Sequence, residues 1–464
     1  MTAPTAPYEV ATQPRSRLRR SQLFGYAAGD AANNLAFSMT SMFLLLYYTD
    51  VVGISAAAAG TLFLVVRAWD AFADLFAGRI VDQTMTRWGK FRPFFLFASL
   101  PLLLLSVATF TVPGELPHTG KLVYAYLTYA ALGFAYSLVN IPYGSLASAM
   151  TQVPQERAKL ASFRMIGTAL TIVMLAFVVA PQIKNSDDLQ RSLTITTSVF
   201  VVVGFALYLI LFATSRENVV RDVAHVSMKQ SAATLGHNRP LAMLCLSALA
   251  LLTAMFSLQT VQAYYARDVL GNANLFIVLT LVSTGAMFVV APLMPKVVRT
   301  LGKKNAYIAA GALAIVAGVG ISLAPASVPA IAITFFALMG VSQAAANILM
   351  FALEADTVEY GEWKTGVRTE GITYALFSFT RKLGQAVGGA MAAYAIGLGG
   401  YVAGAQSQSA GAVDAIRYAA GFAPAAFVLI AIVIMHFYPL TEARFTEIVA
   451  QTAERRAARV AAST

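Results

Sequence analysis

The chain of 464 residues is poor in cysteine and in charge, and each shortage excludes a class of protein. A single cysteine, Cys245, excludes an internal disulfide and any metal site built from several cysteines. Charged residues make up 12% of the chain and hydrophobic residues 58%. Soluble domains are about a quarter charged. The chain therefore has more apolar side chain than a soluble core can bury.

Long apolar segments fill most of the sequence and predict an all-α polytopic membrane protein. Each is long enough to cross a hydrocarbon layer of about 30 Å. The twelve predicted spans are residues 22–48, 54–79, 93–113, 121–149, 160–183, 193–214, 240–265, 274–298, 306–325, 328–353, 372–398 and 416–438. The histidines lie in loops or at a span end, which leaves any proton relay to carboxylates.

Basic residues predict the orientation of these spans. Most of the 33 lysines and arginines lie in the two tails and in alternate loops, as cytoplasmic segments do. Both termini are therefore predicted to be cytoplasmic. The same distribution explains the net charge of +11 without nucleic-acid binding. The basic residues that lie elsewhere are Arg67, Lys121, Lys184, Arg191, Arg267 and Arg417.

The longest polar interval between spans divides six spans from six. A weak repeat supports duplication, because "RIVDQTMTRWGKFR" follows the second span and "PKVVRTLGKKN" follows the eighth. We expect two six-helix bundles with a substrate cavity between them near the membrane midplane, as in secondary transporters. The predicted units are a tail 1–21, a bundle 22–214, a cytoplasmic loop 215–239, a bundle 240–438 and a tail 439–464.

The second span carries three charges on one helical face, Arg67, Asp70 and Asp74. An ionised side chain at the membrane centre costs roughly 3 kcal/mol, so each needs a partner or a function. A salt bridge between Arg67 and Asp70 would explain two of them as packing alone, but it leaves Asp74. Two neighbouring carboxylates repel, and a bound cation relieves that repulsion. This stripe predicts a coupling-ion site at Asp70 and Asp74.

Other polar residues in the spans predict a substrate site. Asp30 begins a polar stripe in the first span, Asn140 and Tyr143 lie near a proline in the fourth, and Arg164 opens the fifth. Asn140 and Tyr143 either bind sugar hydroxyls or satisfy one another. Ser137 lies one turn before Asn140, and we group its hydroxyl with the ion site.

Lys382 is predicted to lie about three turns into the eleventh span. A lysine at that depth either pairs with the second-span carboxylates across the bundle interface or meets an anionic ligand. Ser378 lies one turn earlier, and we group it with the ion site as well.

Several motifs together resemble one known family. "GTLFLVVRAWDAFADLFAGRIVD", "TRWGKFRPF", "NIPYGSL" and "LEADTVEYGEWKTGVRTEGITY" are similar to segments of the glycoside-pentoside-hexuronide:cation symporters of the major facilitator superfamily. The resemblance runs from the first span into the C-terminal tail. It implies alternating access between two bundles, with Asp70 and Asp74 as cation ligands.

The same resemblance implies roles for the other candidates. Asp30 and Arg164 would belong to the sugar site, and Lys382 would link it to the ion site. In the loop after the second span, Asp82, Arg87 and Lys90 would form a charge network with Arg67 that latches one conformation. The alternative for this loop is simple anchoring at the cytoplasmic surface.

One departure from the family pattern bears on the substrate. Family members that transport melibiose have an aspartate where this chain has Asn140 and a tryptophan where it has Gly144. A carboxylate would repel an acidic sugar by about 4 kcal/mol at 4 Å and an effective dielectric constant of 20. Asn140 removes that conflict, and Arg164 or Lys382 would bind the uronate. Fewer acidic ligands also favour a proton over Na⁺ at Asp70 and Asp74.

We therefore expect a monomeric symporter that takes up β-glucuronides with H⁺ across the bacterial inner membrane. Its partners are an anionic glycoside and the lipid bilayer, with no nucleic acid, resident metal or cofactor. Alternatives are a symporter for a neutral glycoside or pentoside, with Na⁺ as a possible coupling ion, and a non-transporting membrane sensor. An enzyme is disfavoured because the sequence offers no nucleophile with a base and no metal cluster.

Overall fold

The computed structural model describes residues 18–151, 154–217, 236, 238–366, 370–405 and 407–463, and in them all regular structure is helical. Two π-helical turns occur, at Tyr47–Val52 and Tyr265–Val269. The α-helices are α1 Arg20–Leu46, α2 Ala56–Gln83, α3 Arg92–Phe97, α4 Ser99–Thr109, α5 His118–Met150, α6 Pro154–Asn185, α7 Leu189–Thr214, α8 Arg239–Tyr264, α9 Leu275–Leu323, α10 Pro329–Thr365, α11 Glu370–Leu398, α12 Ala410–Ala420, α13 Phe422–His436 and α14 Glu442–Ser463.

The helices give twelve membrane spans in the described part of the chain. Ten helical segments there are long and apolar enough to cross a membrane. One of them, α9, consists of two helices joined at Gly302, whose φ of 73° only glycine adopts readily. The charged helix α11 is the remaining span. Helices α3 and α4 share one span, as do α12 and α13, and the predicted fold class is confirmed.

The spans pack as two bundles, α1 to α7 and α8 to α13. In the first, α1 packs against α6 and α7, and α2 against α5. In the second, α8 packs against α11 and α13, and α9 against α10. Three helix pairs join the bundles: α2 with α11, α1 with α8, and α6 with α9. The interface is therefore lined by the charged helices α1, α2, α6 and α11.

Close packing of α11 against α8 fixes where the side chains of α11 emerge. A Cβ atom at Gly388 would lie 2.5 Å from the Thr253 carbonyl oxygen, and one at Gly384 would lie 2.8 Å from the Leu252 Cβ. Only glycine permits this approach. The contact holds Lys382, two residues before Gly384, at a fixed place on the interface.

The C-terminal tail contains a helix that the sequence analysis leaves unassigned. Helix α14 packs against α10 and buries Ile448 and Thr452. Trp363 Nε1 donates to Gln451 Oε1 over 2.7 Å, and Arg455 donates to the Trp363 carbonyl over 2.9 Å. Residues 1–17 of the first tail, and 218–235 and 237 of the central loop, lie outside the described residues.

Candidate functional site

Asp30 is the centre of the first polar cluster. Its side chain accepts hydrogen bonds from Arg164 Nε at 2.9 Å, Asn34 Nδ2 at 3.0 Å and the Thr168 hydroxyl. Asp30 is buried, whereas the Arg164 side chain is 39% exposed. The cluster joins α1 to α6, and Arg164 is its most exposed side chain.

Tyr143 supports Arg164. The guanidinium carbon of Arg164 lies 5.3 Å from the centre of the Tyr143 ring. Tyr143 stacks on Tyr26 with ring centres 4.6 Å apart, and its hydroxyl donates to the Tyr26 carbonyl over 2.9 Å. Tyr143 is completely buried. Its predicted contact with sugar does not fit this geometry, because the hydroxyl is already bonded and the ring is covered.

The stripe on α2 forms the second cluster. Arg67 donates to Asp70 over 3.3 Å, as the simpler interpretation of the sequence has it. Asp74 accepts from the Ser137 hydroxyl over 2.6 Å and contacts the Lys382 ammonium group. The contact between Lys382 and Asp74 joins the two bundles. Arg67 therefore belongs to the membrane centre and lies apart from the cytoplasmic loop with which the sequence analysis groups it.

Glycine at position 133 makes room for the first carboxylate of this stripe. A Cβ atom at Gly133 would overlap Asp70 Oδ1. That oxygen is buried and has no hydrogen-bond partner among the described residues. A buried oxygen that accepts no hydrogen bond lowers the stability of the fold. A proton on Asp70 would turn its carboxylate into a hydrogen-bond donor.

Two predicted ligands lie near these clusters without bonding to them. Asn140 is half-buried on α5, one turn beyond Ser137, and forms no hydrogen bond within the described part of the chain. Ser378 is half-buried on α11, one turn before Lys382, and likewise has no described hydrogen bond. Neither contacts a carboxylate of the ion site in this conformation.

Two further residues lie at the site, Thr168 and Tyr136, and neither is among those predicted from the sequence. Thr168 lies one turn after Arg164, so its spacing is the only sequence signal for its contact with Asp30. Tyr136 precedes Ser137 on α5 and stacks on Phe37 of α1 with ring centres 5.5 Å apart. It lies between the two clusters.

A small cavity lies between the bundles, on the periplasmic side of Lys382. Its volume is about 30 Å³, and Thr40, Arg67, Tyr129, Thr260 and Gln385 are among its lining residues. This space suits water rather than a sugar ring. The bundles are therefore packed together at this level.

The loop after α2 is held within its own bundle. The Glu217 carboxylate accepts from the backbone N–H of Lys90 at 2.8 Å and from the next two N–H groups at 2.8 and 3.1 Å. The Arg87 guanidinium lies 4.6 Å from the centre of the neighbouring tryptophan ring. The Asp82 side chain lies outside the described residues. These contacts join the loop to the end of α7, and Glu217 is a residue that the sequence analysis misses.

Comparison with known families decides what kind of protein carries these clusters. Residues 25–442 match the family described as MFS/sugar transport protein. The chain belongs to this family. It is also 50% identical to the Glucuronide carrier protein homolog of Escherichia coli (strain K12), over 94% of this chain and 95% of that protein. The predicted membership of the cation-symporter branch is thereby confirmed.

Other similar proteins fit the family. The chain is 35% identical to the Isoprimeverose transporter of Lactiplantibacillus pentosus, over 88% of this chain and 87% of that protein. A crystal structure of the nucleoside transporter NupG superposes with a TM-score of 0.63, at 12% identity, over 93% of this chain and 99% of that one. At that identity the likeness shows the fold alone.

As a sugar transporter of this family, the chain is a multi-pass protein of the bacterial inner membrane. With both termini in the cytoplasm, the ends of the spans opposite the basic loops lie at the periplasm. The family and the similar structures are transporters, which favours transport over catalysis. The two clusters lie at the bundle interface, where a substrate crossing between the halves would meet them.

Proposed function

We propose that this transporter carries β-glucuronides into the cell together with a proton. The observation that carries the proposal is the environment of Arg164, whose guanidinium binds Asp30 through Nε and stays partly exposed. The 50%-identical Escherichia coli relative, named a glucuronide carrier homolog, supports the same substrate class.

Arg164 suits a sugar acid because its terminal nitrogens can donate hydrogen bonds and because position 140 carries no negative charge. Within the described residues its two terminal nitrogens have no hydrogen-bond partner, so they can bind both oxygens of a carboxylate. The nearby position 140 holds a neutral amide. A uronate next to Arg164 would therefore bind its two terminal N–H groups and share its positive charge with Asp30.

The ion site suits a proton for a related reason. Asp74 already has the Lys382 ammonium group and the Ser137 hydroxyl as neighbours. A hard metal cation requires several oxygen ligands, whereas a proton requires one carboxylate oxygen. Protonation of Asp74 would release Lys382 and weaken a contact between the bundles. Loading the ion would thus favour movement of α11 relative to α2.

A neutral glycoside or pentoside, carried with Na⁺, is the alternative, and the 35% identity to an isoprimeverose transporter supports it. Asp70 and Asp74 would then hold the Na⁺. A non-transporting sensor remains the hypothesis from a different class, although nothing in the family match favours it.

Counterflow in proteoliposomes tests the substrate. Liposomes are loaded with unlabelled aryl β-glucuronide, and entry of the labelled compound is competed with the matching glucuronide or glucoside. We expect the glucuronide to compete at least ten times better. Equal competition by the uncharged sugar would contradict the anion proposal. Uptake driven by a pH gradient in sodium-free buffer, compared with a sodium gradient at constant pH, identifies the coupling ion.

A further inference from the structure

Two segments at the periplasmic ends of α1 and α8 are versions of one motif. They read "YYTDVVG" at 47–53 and "YYARDVLG" at 264–271. Each follows the first helix of its bundle, takes a π-helical turn, and ends at a glycine with positive φ, 81° at Gly53 and 68° at Gly271. Such turns are rare in proteins, and those that occur often lie at functional sites. The bundles therefore present related turns at the same membrane level.

The two turns have matching wide hydrogen bonds. The Ile54 N–H donates to the Tyr48 carbonyl over 2.8 Å, and the Asn272 N–H donates to the Ala266 carbonyl over 3.0 Å. Both bonds span six residues and satisfy a carbonyl that a regular helix end would leave open. The backbone geometry of each turn is thus defined, which fixes the positions of the charged side chains on it.

The second copy has one more residue between its tyrosines and its aspartate, and that residue is Arg267. This arginine is one of the few basic residues outside the cytoplasmic segments. Its Nη1 contacts Asp50 of the other bundle, and its Nε and Nη2 donate to the two Asp268 carboxylate oxygens, each over 2.9 Å. An extra residue thus provides the cation that joins the two turns.

Tyr401, in the loop after α11, completes the cluster. Its hydroxyl donates to Asp50 Oδ1 over 2.8 Å and contacts Arg267. Burial, and secondarily the Asp50 carboxylate, raises the pKa of Tyr401, so the hydroxyl remains a donor at physiological pH. Below it, the buried Thr49 and Tyr264 hydroxyls bond each other across the interface over 2.8 Å.

We propose that Asp50, Arg267 and Tyr401 form the periplasmic gate of the transport cycle, bonded as here when the periplasmic side is closed and separated when it opens. The inference rests on the chain being a transporter, which its family shows, and on neither the sugar nor the coupling ion proposed above. One cation faces two carboxylates here, so losing Arg267 leaves Asp50 and Asp268 to repel each other. Losing the Asp50 charge removes the cross-bundle attraction without creating repulsion.

Access to the cavity behind the gate tests this directly. In a Cys245→Ser background, Thr260→Cys places a thiol in the small cavity, on the cytoplasmic side of the cluster. Right-side-out membrane vesicles are treated with a membrane-impermeant maleimide without added substrate. We expect Arg267→Gln to speed labelling about tenfold, which corresponds to about 1.4 kcal/mol. Asp50→Asn should give a smaller increase, and Tyr401→Phe the smallest.

Glu115→Gln is the matched control, because Glu115 is an exposed acid in another periplasmic loop. It should label at the parent rate. Each variant is checked by gel filtration and by complete labelling in denaturant. The exchange variant Asp50→Arg/Arg267→Asp should label more slowly than Arg267→Gln, because opposite charges again face each other.

Parental labelling rates in properly folded Arg267→Gln and Asp50→Asn would overturn the gate. So would an increase in Glu115→Gln as large as that in Arg267→Gln. The result is independent of the substrate proposal. Faster labelling combined with failed glucuronide counterflow in the parent would support the gate and reject the sugar.

Discussion

The two bundles contribute unequally to the charges at their interface. At the membrane centre the N-terminal bundle holds both arginines and all three carboxylates of the polar clusters, and the C-terminal bundle adds Lys382. At the periplasmic end the balance is reversed among the described residues, because the N-terminal bundle contributes Asp50 to the cluster and the C-terminal bundle contributes Arg267, Asp268 and Tyr401. The N-terminal bundle thus supplies most of the charged groups of the proposed sites, and ion pairs at two different depths connect it to the C-terminal bundle.

Breaking the deeper pair should have the largest effect. Asp74→Asn removes the proposed proton acceptor and leaves the half-buried Lys382 ammonium group without its carboxylate partner. We expect accumulation driven by a pH gradient to fall about 100-fold, an effect of about 2.7 kcal/mol on the coupled step. The measurement is steady-state accumulation of labelled glucuronide in proteoliposomes.

Asp74→Asn/Lys382→Met is the companion variant for that experiment. It removes both charges, so it should regain the thermal stability that the single variant loses while still failing to accumulate substrate. Undiminished accumulation in folded Asp74→Asn would show that the coupling proton binds elsewhere.

Arg164→Gln should have the next largest effect. It tests recognition of the substrate's charge independently of the coupling ion. A hydrogen bond to a charged group contributes about 1.5–3 kcal/mol, so the preference for glucuronide over glucoside should fall at least about tenfold. Competition in the counterflow assay measures it. Arg191→Gln, an exposed arginine at the start of α7, is the control and should keep the parent preference. An unchanged preference in Arg164→Gln would assign the uronate to another cation.

Gly133→Ala tests how closely the N-terminal bundle is fitted around its carboxylates. The added methyl group would overlap Asp70 Oδ1, and overpacking typically costs about 1–3 kcal/mol. We expect a lower thermal unfolding temperature in detergent and slower uptake. Gly144→Ala, on the same helix with nothing within 4 Å of its added Cβ, should change neither. Equal stability of the two variants would contradict the contact.

The smallest effect is expected from Trp363→Ala in the C-terminal bundle. Trp363 binds α14 through its indole N–H and its carbonyl, and lies far from both ion pairs. Uptake should change less than twofold, whereas α14 should become more sensitive to limited proteolysis. A large loss of uptake would instead connect α14 to the transport cycle.

Much of the site follows from the sequence because charges in a membrane need partners. The spacing of Arg67 and Asp70 allows a salt bridge, and the depth of Lys382 indicates either a contact with the second-span carboxylates or an anionic ligand. The structure contains both ion pairs. An unpaired charge inside a membrane is costly, so few arrangements of these side chains are possible. The twelve spans follow for the same reason, since their length and polarity are set by the membrane.

Other contacts leave weaker signals in the sequence. Thr168 is one of three hydroxyl residues on α6, and a threonine in a helix can also donate to a backbone carbonyl of its own helix. Tyr143 is a residue type that often binds sugars, but here it stacks on Tyr26 and is buried. That stacking depends on how α1 packs against α5. Arg267 lies near a span end, where a basic residue is ordinarily solvated. Only the repeated tyrosine pair and Asp-Val-x-Gly could have indicated its partner.

The pairing at the membrane centre also determines which energy source can act on the carrier. Asp30 with Arg164, Asp70 with Arg67, and Asp74 with Lys382 cancel in charge, so these pairs move no net charge when the empty carrier reorients. If one proton enters with one singly charged sugar acid, as proposed above, that sum stays at zero. The membrane voltage would then do no work on either half of the cycle, and the pH difference alone would set how far the sugar is concentrated.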